Sequence, residues 1–426
     1  MIKLKRSLNL AQLTFYGVGT IVGAGIYSVI GAAAGDAGSL LWLSFIFAGI
    51  AALLTALSYA ELSSMFSQAG AEYEYLKHAF RSPLLPFMVG FLVLFNAAST
   101  AAAVSIAFGG YLRVFFDLPQ LATAFIILLA CTAINIAGIK QSTWATMTLV
   151  CVEVAGLILL IFAGFEWGQL ERNWDFEGQA GTGPEGVVSA AALIFFVYIG
   201  FETIANLSEE SHNPTRNIPR SMLLSIVITT IIYILVALAT IALVEPSHLA
   251  SSQSPLTEAG RAVAPWMGDA LAIAALFSTA STALITLVGI SRLLFSMGRS
   301  GVMPKITANV LKGRQTPWVA ALVLGFGACL FLLLGDLKAV ASMTSLGALL
   351  VFIGIHAALI SLRYKRPDAR RPFCVPLSIG KIPVLPVLGI LISIIFLTRF
   401  QWQTYSVALG ILICGLFLYW LRQKKN

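Results

Sequence analysis

Long apolar runs separated by short polar connectors make up most of this chain. Twelve runs stand out, at 12–34, 39–66, 84–112, 120–136, 142–164, 186–208, 219–243, 268–298, 316–335, 338–363, 382–398 and 404–421. A transmembrane helix needs about 20 mostly apolar residues. The pattern therefore predicts an all-α integral membrane protein with about twelve spans. The first run breaks its own rule: Gly17-Val18-Gly19-Thr20-Ile21-Val22-Gly23-Ala24-Gly25-Ile26 packs four glycines into ten residues. An interior glycine costs roughly 1 kcal/mol of helix propensity. Irregular backbone at membrane depth survives only where protein covers it or a cavity hydrates it. Glycine also lets helices approach closely, but a cluster this dense predicts an interruption where bare peptide groups meet a polar ligand.

A second interruption is expected in the sixth run, where Phe195-Phe196-Val197-Tyr198-Ile199-Gly200-Phe201-Glu202 sets a glycine and a carboxylate in mid-membrane. Runs one and six are five spans apart and enter from opposite faces. This suggests a 5+5 inverted repeat, 12–164 and 186–363, followed by two accessory helices at 382–421. Transporters of that kind bind substrate near the midplane, between helices broken at corresponding positions. Freed N–H groups at a half-helix N-terminus attract a carboxylate, and freed carbonyls attract an ammonium or a metal cation. A zwitterionic amino acid satisfies both.

Composition narrows the alternatives. Hydrophobic residues are 58% of the chain and charged residues 11%, against about 25% charged in a soluble domain. The net charge of +8 is not a nucleic-acid footprint, because the basic residues sit in short connectors with no basic face. With the N-terminus in the cytoplasm, 22 of the 27 lysines and arginines fall on the cytoplasmic side and 5 outside. By the positive-inside rule both termini face the cytoplasm, in a multi-pass plasma membrane protein of prokaryotic inner-membrane type. Lys3, Lys5 and Arg6 resemble a signal n-region, but the long apolar run behind them reads as a retained first span. Cys131, Cys151, Cys329, Cys374 and Cys414 show no metal spacing and read as small buried hydrophobes. The Arg292–Arg299 and Arg363–Arg371 segments read as cytoplasmic charge that sets topology, in reach of anionic lipid. His356 lies deep in a span and reads as a hydrogen-bonded structural histidine.

Four stretches together resemble the amino acid–polyamine–organocation transporter superfamily over nearly the whole chain. They are Gly23-Ala24-Gly25-Ile26 after Ile21; Tyr59-Ala60-Glu61-Leu62 through Gly70-Ala71-Glu72-Tyr73 to Ala79-Phe80; Phe195 to Glu202 continuing to Glu209-Glu210-Ser211-His212-Asn213-Pro214 and Ile218-Pro219-Arg220; and Arg366-Pro367-Asp368 through Arg371-Pro372-Phe373 to Val375-Pro376. The pattern is most similar to bacterial permeases of the cationic-amino-acid-transporter-like branch. The resemblance implies a LeuT-type fold with broken helices 1 and 6, and alternating access. It implies that the amides of Gly23, Ala24 and Gly25, beside Ile26, hold a substrate carboxylate. The carbonyls of Ile21, Phe196 and Ile199 would hold its amine, with Val197 and Gly200 in the same turn. Phe196 matches an aromatic gate. Many relatives carry Ser or Thr where this chain has Ala24, so the main chain does most of the binding, with Thr20 as an added hydroxyl. The turn after the second run, Ser67-Gln68-Ala69-Gly70-Ala71, also departs from the family's Pro-x-Ala-Gly-Gly.

Ionisable groups at mid-membrane cost at least ~2.5–3.5 kcal/mol on insertion scales and mark function. Glu61 reads as a structural or gating contact. The resemblance places Glu202 where relatives couple protonation to movement. Glu153 lies centrally in span 5, where several proton-coupled relatives carry a lysine. It has four readings: a neutral acid bonded to backbone, a protonated carboxyl kept neutral by burial, the transported-proton site, or a cation ligand with hydroxyls of Ser278, Thr279, Ser281 or Thr282. The expected function is secondary active transport of amino acids, coupled to protons, with no resident cofactor. The alternatives are a sodium-coupled symporter or an amino acid/amine exchanger. A membrane enzyme lacks a nucleophile–base pair, a metal-ligand cluster and a phosphate loop in this sequence. A channel would need a continuous polar path. The expected partners are an amino acid, leaning to neutral ones, and membrane lipid.

Overall fold

The computed structural model describes residues 8–66, 71–137, 143–169, 183–208, 211–299, 301–311 and 316–423. The Ser67–Gly70 turn, Glu209-Glu210 and the first basic cluster lie outside them. The described chain is helical apart from one two-stranded hairpin, β1 (Ser378–Ile379) with β2 (Ile382–Pro383). Nine described stretches are long and apolar enough to cross a membrane, and the first, Leu10–Met65, contains two helices. These are α1 (Leu10–Ala37) and α2 (Leu41–Met65), joined by a single 3-10 turn at Gly38–Leu40. The short charged helix α3 (Ala71–Ala79) follows, then α4 (Leu84–Leu112), α5 (Gln120–Ala137) and α6 (Thr143–Trp167).

The second half begins with α7 (Pro184–Ile194), which passes into 3-10 turns at Phe195–Tyr198 and Phe201–Leu207. Then come α8 (Pro214–Leu243), the short helices α9 (Pro246–Ser251) and α10 (Pro255–Arg261), and α11 (Pro265–Arg299). The last four are α12 (Trp318–Leu332), α13 (Leu337–Lys365), α14 (Val384–Leu397) and α15 (Trp402–Gln423). The apolar helices α12 and α14 are the shortest of the long set, at 15 and 14 residues.

Most element limits fall within a few residues of the apolar runs. The largest shift is α8, which begins at Pro214 rather than 219. Proline is tolerated in the first helical turn, and the polar turn carrying Arg216 is invisible to hydropathy. The N-terminus of α1 is fixed by a reciprocal cap. Asn9 Oδ1 accepts from Gln12 N at 2.9 Å, and Gln12 Oε1 accepts from Asn9 N at 3.0 Å. α1 and α2 pack against α8 and α7, and α13 lies against α2 and α4.

Three expectations change. The interruption in α1 is confined to Gly23 (φ −12°, ψ −155°), with helical structure on both sides. Gly17 and Gly19 remain helical and serve packing: a Cβ would lie 2.3 Å from Ser225 Oγ at the first and 2.6 Å from a Val150 methyl at the second. The sixth run breaks at Ile199–Gly200, but the segments flanking the break, Phe195–Tyr198 and Phe201–Leu207, are 3-10 rather than α-helical. Among the cysteines only Cys131 is buried; Cys151, Cys374 and Cys414 are exposed and Cys329 is intermediate. On a lipid-facing surface an apolar environment does not require burial, so an apolar flank does not place a cysteine in the core.

Candidate functional site

The two interruptions meet. Gly25 faces span 6 so closely that a Cβ would sit 3.0 Å from Val197 Cα. Gly200 adopts φ +130°, and a Cβ there would lie 2.8 Å from the Thr20 carbonyl oxygen. Glycine is required at 200 both for that backbone region and for the approach. Thr20 Oγ1 lies 3.0 Å from the Gly17 carbonyl and 3.4 Å from the Gly200 carbonyl. Phe196 and Val197 are buried, in a turn closed by Ile199 N donating to the Phe196 carbonyl at 3.3 Å.

The main-chain groups freed here find side-chain partners, as buried polar groups must. Ala24 N–H donates to Thr282 Oγ1 at 3.1 Å. The Tyr233 hydroxyl, from α8, lies 2.7 Å from the Ile21 carbonyl and 3.3 Å from the Val197 carbonyl. Gly200 N–H donates to Glu202 Oε2 at 2.9 Å. Glu202 therefore closes the C-terminal side of the same turn. A carbonyl has two lone pairs, so Ile21 and Val197 can accept from an ammonium while Tyr233 stays in place. Ile26 is buried beside Gly25.

Glu153 is buried on α6, and its Oε1 accepts from Ser281 Oγ of α11 at 3.1 Å. Its main-chain carbonyl accepts from the Tyr27 hydroxyl at 2.8 Å, and the Tyr111 hydroxyl donates to the Tyr27 carbonyl at 2.8 Å. Ser278 Oγ is buried beside the Glu153 carboxyl. Thr279 instead bonds back to the Ala275 carbonyl at 2.7 Å. Glu153, Ser281 and Thr282 thus stand between α6, α11 and the Gly23 kink. Among the described residues no group of His, Cys, Asp and Glu has the makings of a metal centre.

Glu61 lies apart from this centre, at the far end of α2. It is fully buried, and Arg363 clasps it with Nε at 3.0 Å and Nη2 at 2.5 Å. Val375 N–H donates to Oε2 at 2.7 Å, and Arg371 Nε stands 3.2 Å from Oε1 as an ion-pair partner. Arg363 and Arg371 are thus more than topology-setting charge. His356 sits between Ser58 Oγ at 2.8 Å and Thr55 Oγ1 at 3.4 Å, a buried hydrogen-bonded histidine.

Sequence reasoning missed Tyr233, Tyr27 and the arginine pair. A tyrosine in mid-span announces a hydroxyl that must find a partner, and that signal was present at both tyrosines. The partners themselves come only from tertiary structure.

Comparison with known proteins agrees with this architecture. The amino acid permease family pattern matches residues 8–418. The chain is 31% identical to the branched-chain amino acid permease BcaP of Bacillus subtilis, over 99% of this chain and 94% of that protein. It is 30% identical to the methylthioribose transporter of the same organism, with the same coverage. It is also 30% identical to human cationic amino acid transporter 4, over 85% of this chain and 60% of that protein. This helical membrane chain therefore belongs to the amino acid permease family of the amino acid–polyamine–organocation superfamily.

Proposed function

We propose that the chain is a secondary active transporter of neutral amino acids, working by alternating access in a twelve-span, LeuT-type 5+5 arrangement with cytoplasmic termini. The observation that carries this reading is the contact of the two interruptions, bridged by the Tyr233 hydroxyl between the Ile21 and Val197 carbonyls. On this reading the amides of Gly23, Ala24 and Gly25 receive the carboxylate, with Thr282 yielding the Ala24 N–H. The carbonyls of Ile21, Phe196 and Ile199 receive the ammonium, and Phe196 closes over it. Neutral substrates fit because the nearby acids are already engaged: Glu202 by Gly200 N–H and Glu153 by Ser281.

Coupling rests on Glu153 and Glu202, and a proton is the simplest coupling ion for buried carboxyls whose hydrogen-bond donors are neutral hydroxyls and amides. Sodium is the second reading, favoured by the Ser281 and Ser278 hydroxyls that stand beside the Glu153 carboxyl. Thermal-shift screening of the purified protein against amino acids, their methyl esters and polyamines tests the substrate assignment. Neutral amino acids stabilise and their esters do not. Stabilisation by none of them overturns it. Counterflow of a labelled amino acid in proteoliposomes, with a pH or a sodium gradient imposed, separates the two coupling ions.

A further inference from the structure

The apolar helix α14 is too short to cross a bilayer by itself. Its 14 residues span about 21 Å, against a hydrocarbon core of about 30 Å. Its Leu397 end is fixed at an interface. Arg399 and an exposed Trp402 follow closely, and such residues anchor at head-group level. Tilting would shorten the reach across the membrane further. The missing length, about 9 Å, therefore falls at the Val384 end, where the β1–β2 hairpin joins the helix.

The hairpin suits that gap. Leu377, Ile379 and Ile382 are 67%, 76% and 41% exposed, a dense apolar surface for a connector. Leu377 also takes φ +59°, a left-handed conformation uncommon for residues with a branched apolar side chain. Neither its backbone nor protein packing favours leucine there, whereas moving the side chain out of water does. The hairpin is held in place. Arg363 Nη1 donates to Ser378 Oγ at 2.5 Å, and Val384 N–H to the Leu377 carbonyl at 2.9 Å. Its two strand residues, Ile382–Pro383, add about 7 Å to the helix. That carries the Gly380-Lys381 turn to the level where hydrocarbon meets head groups.

The same connector is basic. Arg366, Arg370 and Lys381 are exposed, and no ion pair among the described residues involves them. Asp368 is the one acid between Arg366 and Pro383. The neighbouring cations are already engaged. Arg371 donates to the Pro367, Ala369, Leu362 and Arg366 carbonyls, and Lys365 Nζ to the Ala79 carbonyl at 2.7 Å. We propose that the hairpin inserts into the cytoplasmic leaflet at the Val384 end of α14, and that Lys381, Arg366 and Arg370 gather anionic phospholipid head groups around it. Acyl chains then cover Leu377, Ile379 and Ile382. Basic residues at a membrane surface attract anionic lipid, and Lys381 extends its ammonium from the apolar turn to the phosphates. The inference rests on the twelve-span reading, in which α14 is a span and this end is cytoplasmic.

The test uses the full chain with its five native cysteines replaced, in vesicles of mixed phosphatidylcholine and phosphatidylglycerol. Ile379→Cys carries a nitrobenzoxadiazole fluorophore, and the quencher is either lipid with a spin label on its acyl chain. Leu391→Cys, at an exposed position of α14, carries the same fluorophore as a control and is quenched by both lipids alike. The label at 379 is quenched about twofold more strongly by spin-labelled phosphatidylglycerol than by phosphatidylcholine at equal mole fraction. Arg366→Gln, Arg370→Gln and Lys381→Gln together abolish that preference and leave the quenching itself. Quenching at 391 without quenching at 379 overturns the proposal, because the hairpin then lies in water. Equal quenching of 379 by the two lipids, or a preference that survives the triple substitution, overturns it as well. Absence of quenching at 391 sinks the reading of α14 as a span, and the proposal with it, so the two failures are told apart at that position.

Discussion

Replacing Glu61 by glutamine removes one negative charge from a site that two arginines and a main-chain amide share. The carboxylate takes two bonds from Arg363, at 3.0 and 2.5 Å, and one from Val375 N–H at 2.7 Å. Arg371 Nε stands a further 3.2 Å away but has no aligned hydrogen bond there. Taking one partner from a buried ion pair costs about 3–5 kcal/mol, because the other charge stays buried and uncompensated. Glutamine keeps one acceptor oxygen, and Arg371 retains some water contact at 12% exposure, so the lower end, about 3 kcal/mol, applies. For a chain of 426 residues, longer than the domains for which 1 kcal/mol is worth about 2–4 °C, this corresponds to roughly 3–6 °C in Tm. The measurement is thermal denaturation of the purified protein in detergent, for Glu61→Gln, Arg363→Met and the double substitution. The double variant recovers part of the loss, since replacing both partners by neutral groups removes the stranded charge. A Glu61→Gln protein within about 1 °C of wild type, or a double variant that loses the full sum of the singles, refutes the reasoning.

Three further outcomes follow from the site and its surroundings. Glu153→Gln weakens proton-driven uptake but leaves equilibrium substrate binding intact; unchanged uptake against an imposed pH gradient in proteoliposomes contradicts this. Gly200→Ala places a Cβ 2.8 Å from the Thr20 carbonyl at φ +130° and lowers both Tm and uptake, whereas Gly289→Ala, with open space around it, leaves both alone; equal behaviour of the two would count against a required approach at 200. Burial pushes the Glu72 carboxyl above the usual glutamate range. The folded chain therefore binds this proton more tightly than the unfolded chain, and stability falls as pH rises from the ordinary glutamate range through the raised value. Glu72→Gln flattens that descent in a Tm-against-pH series, and an unaltered slope excludes Glu72 as its source.

The membrane helices were legible because burial in lipid is written as continuous hydropathy, a one-dimensional signal. The presence of an interruption in each of spans 1 and 6 was legible too, since the glycines at 23–25 and at 200 break the same local rule in corresponding halves. What hydropathy does not carry is hydrogen-bond register: the glycine and carboxylate at 200–202 place a break in the sixth run, but not the 3-10 turns that flank it. Nor does it carry partner choice across the chain. Glu61 declares by its burial that it needs a cation, but Arg363 lies 302 positions away, among several basic residues of the last turn of α13 and the connector after it. Only packing selects it. The cysteines failed for a different reason: apolar neighbours distinguish membrane from water, not protein interior from lipid.

One hydroxyl hydrogen on Tyr233 faces two carbonyl oxygens, Ile21 at 2.7 Å and Val197 at 3.3 Å. A single donor cannot satisfy both fully, and the shorter bond shows that span 1 now holds the larger share. On the proposed substrate reading, an ammonium at the Ile21 oxygen competes for the same electron density and tips the hydrogen towards Val197. Under that reading the tyrosine is a toggle: occupancy at one broken helix strengthens the bond at the other, without any side chain having to travel.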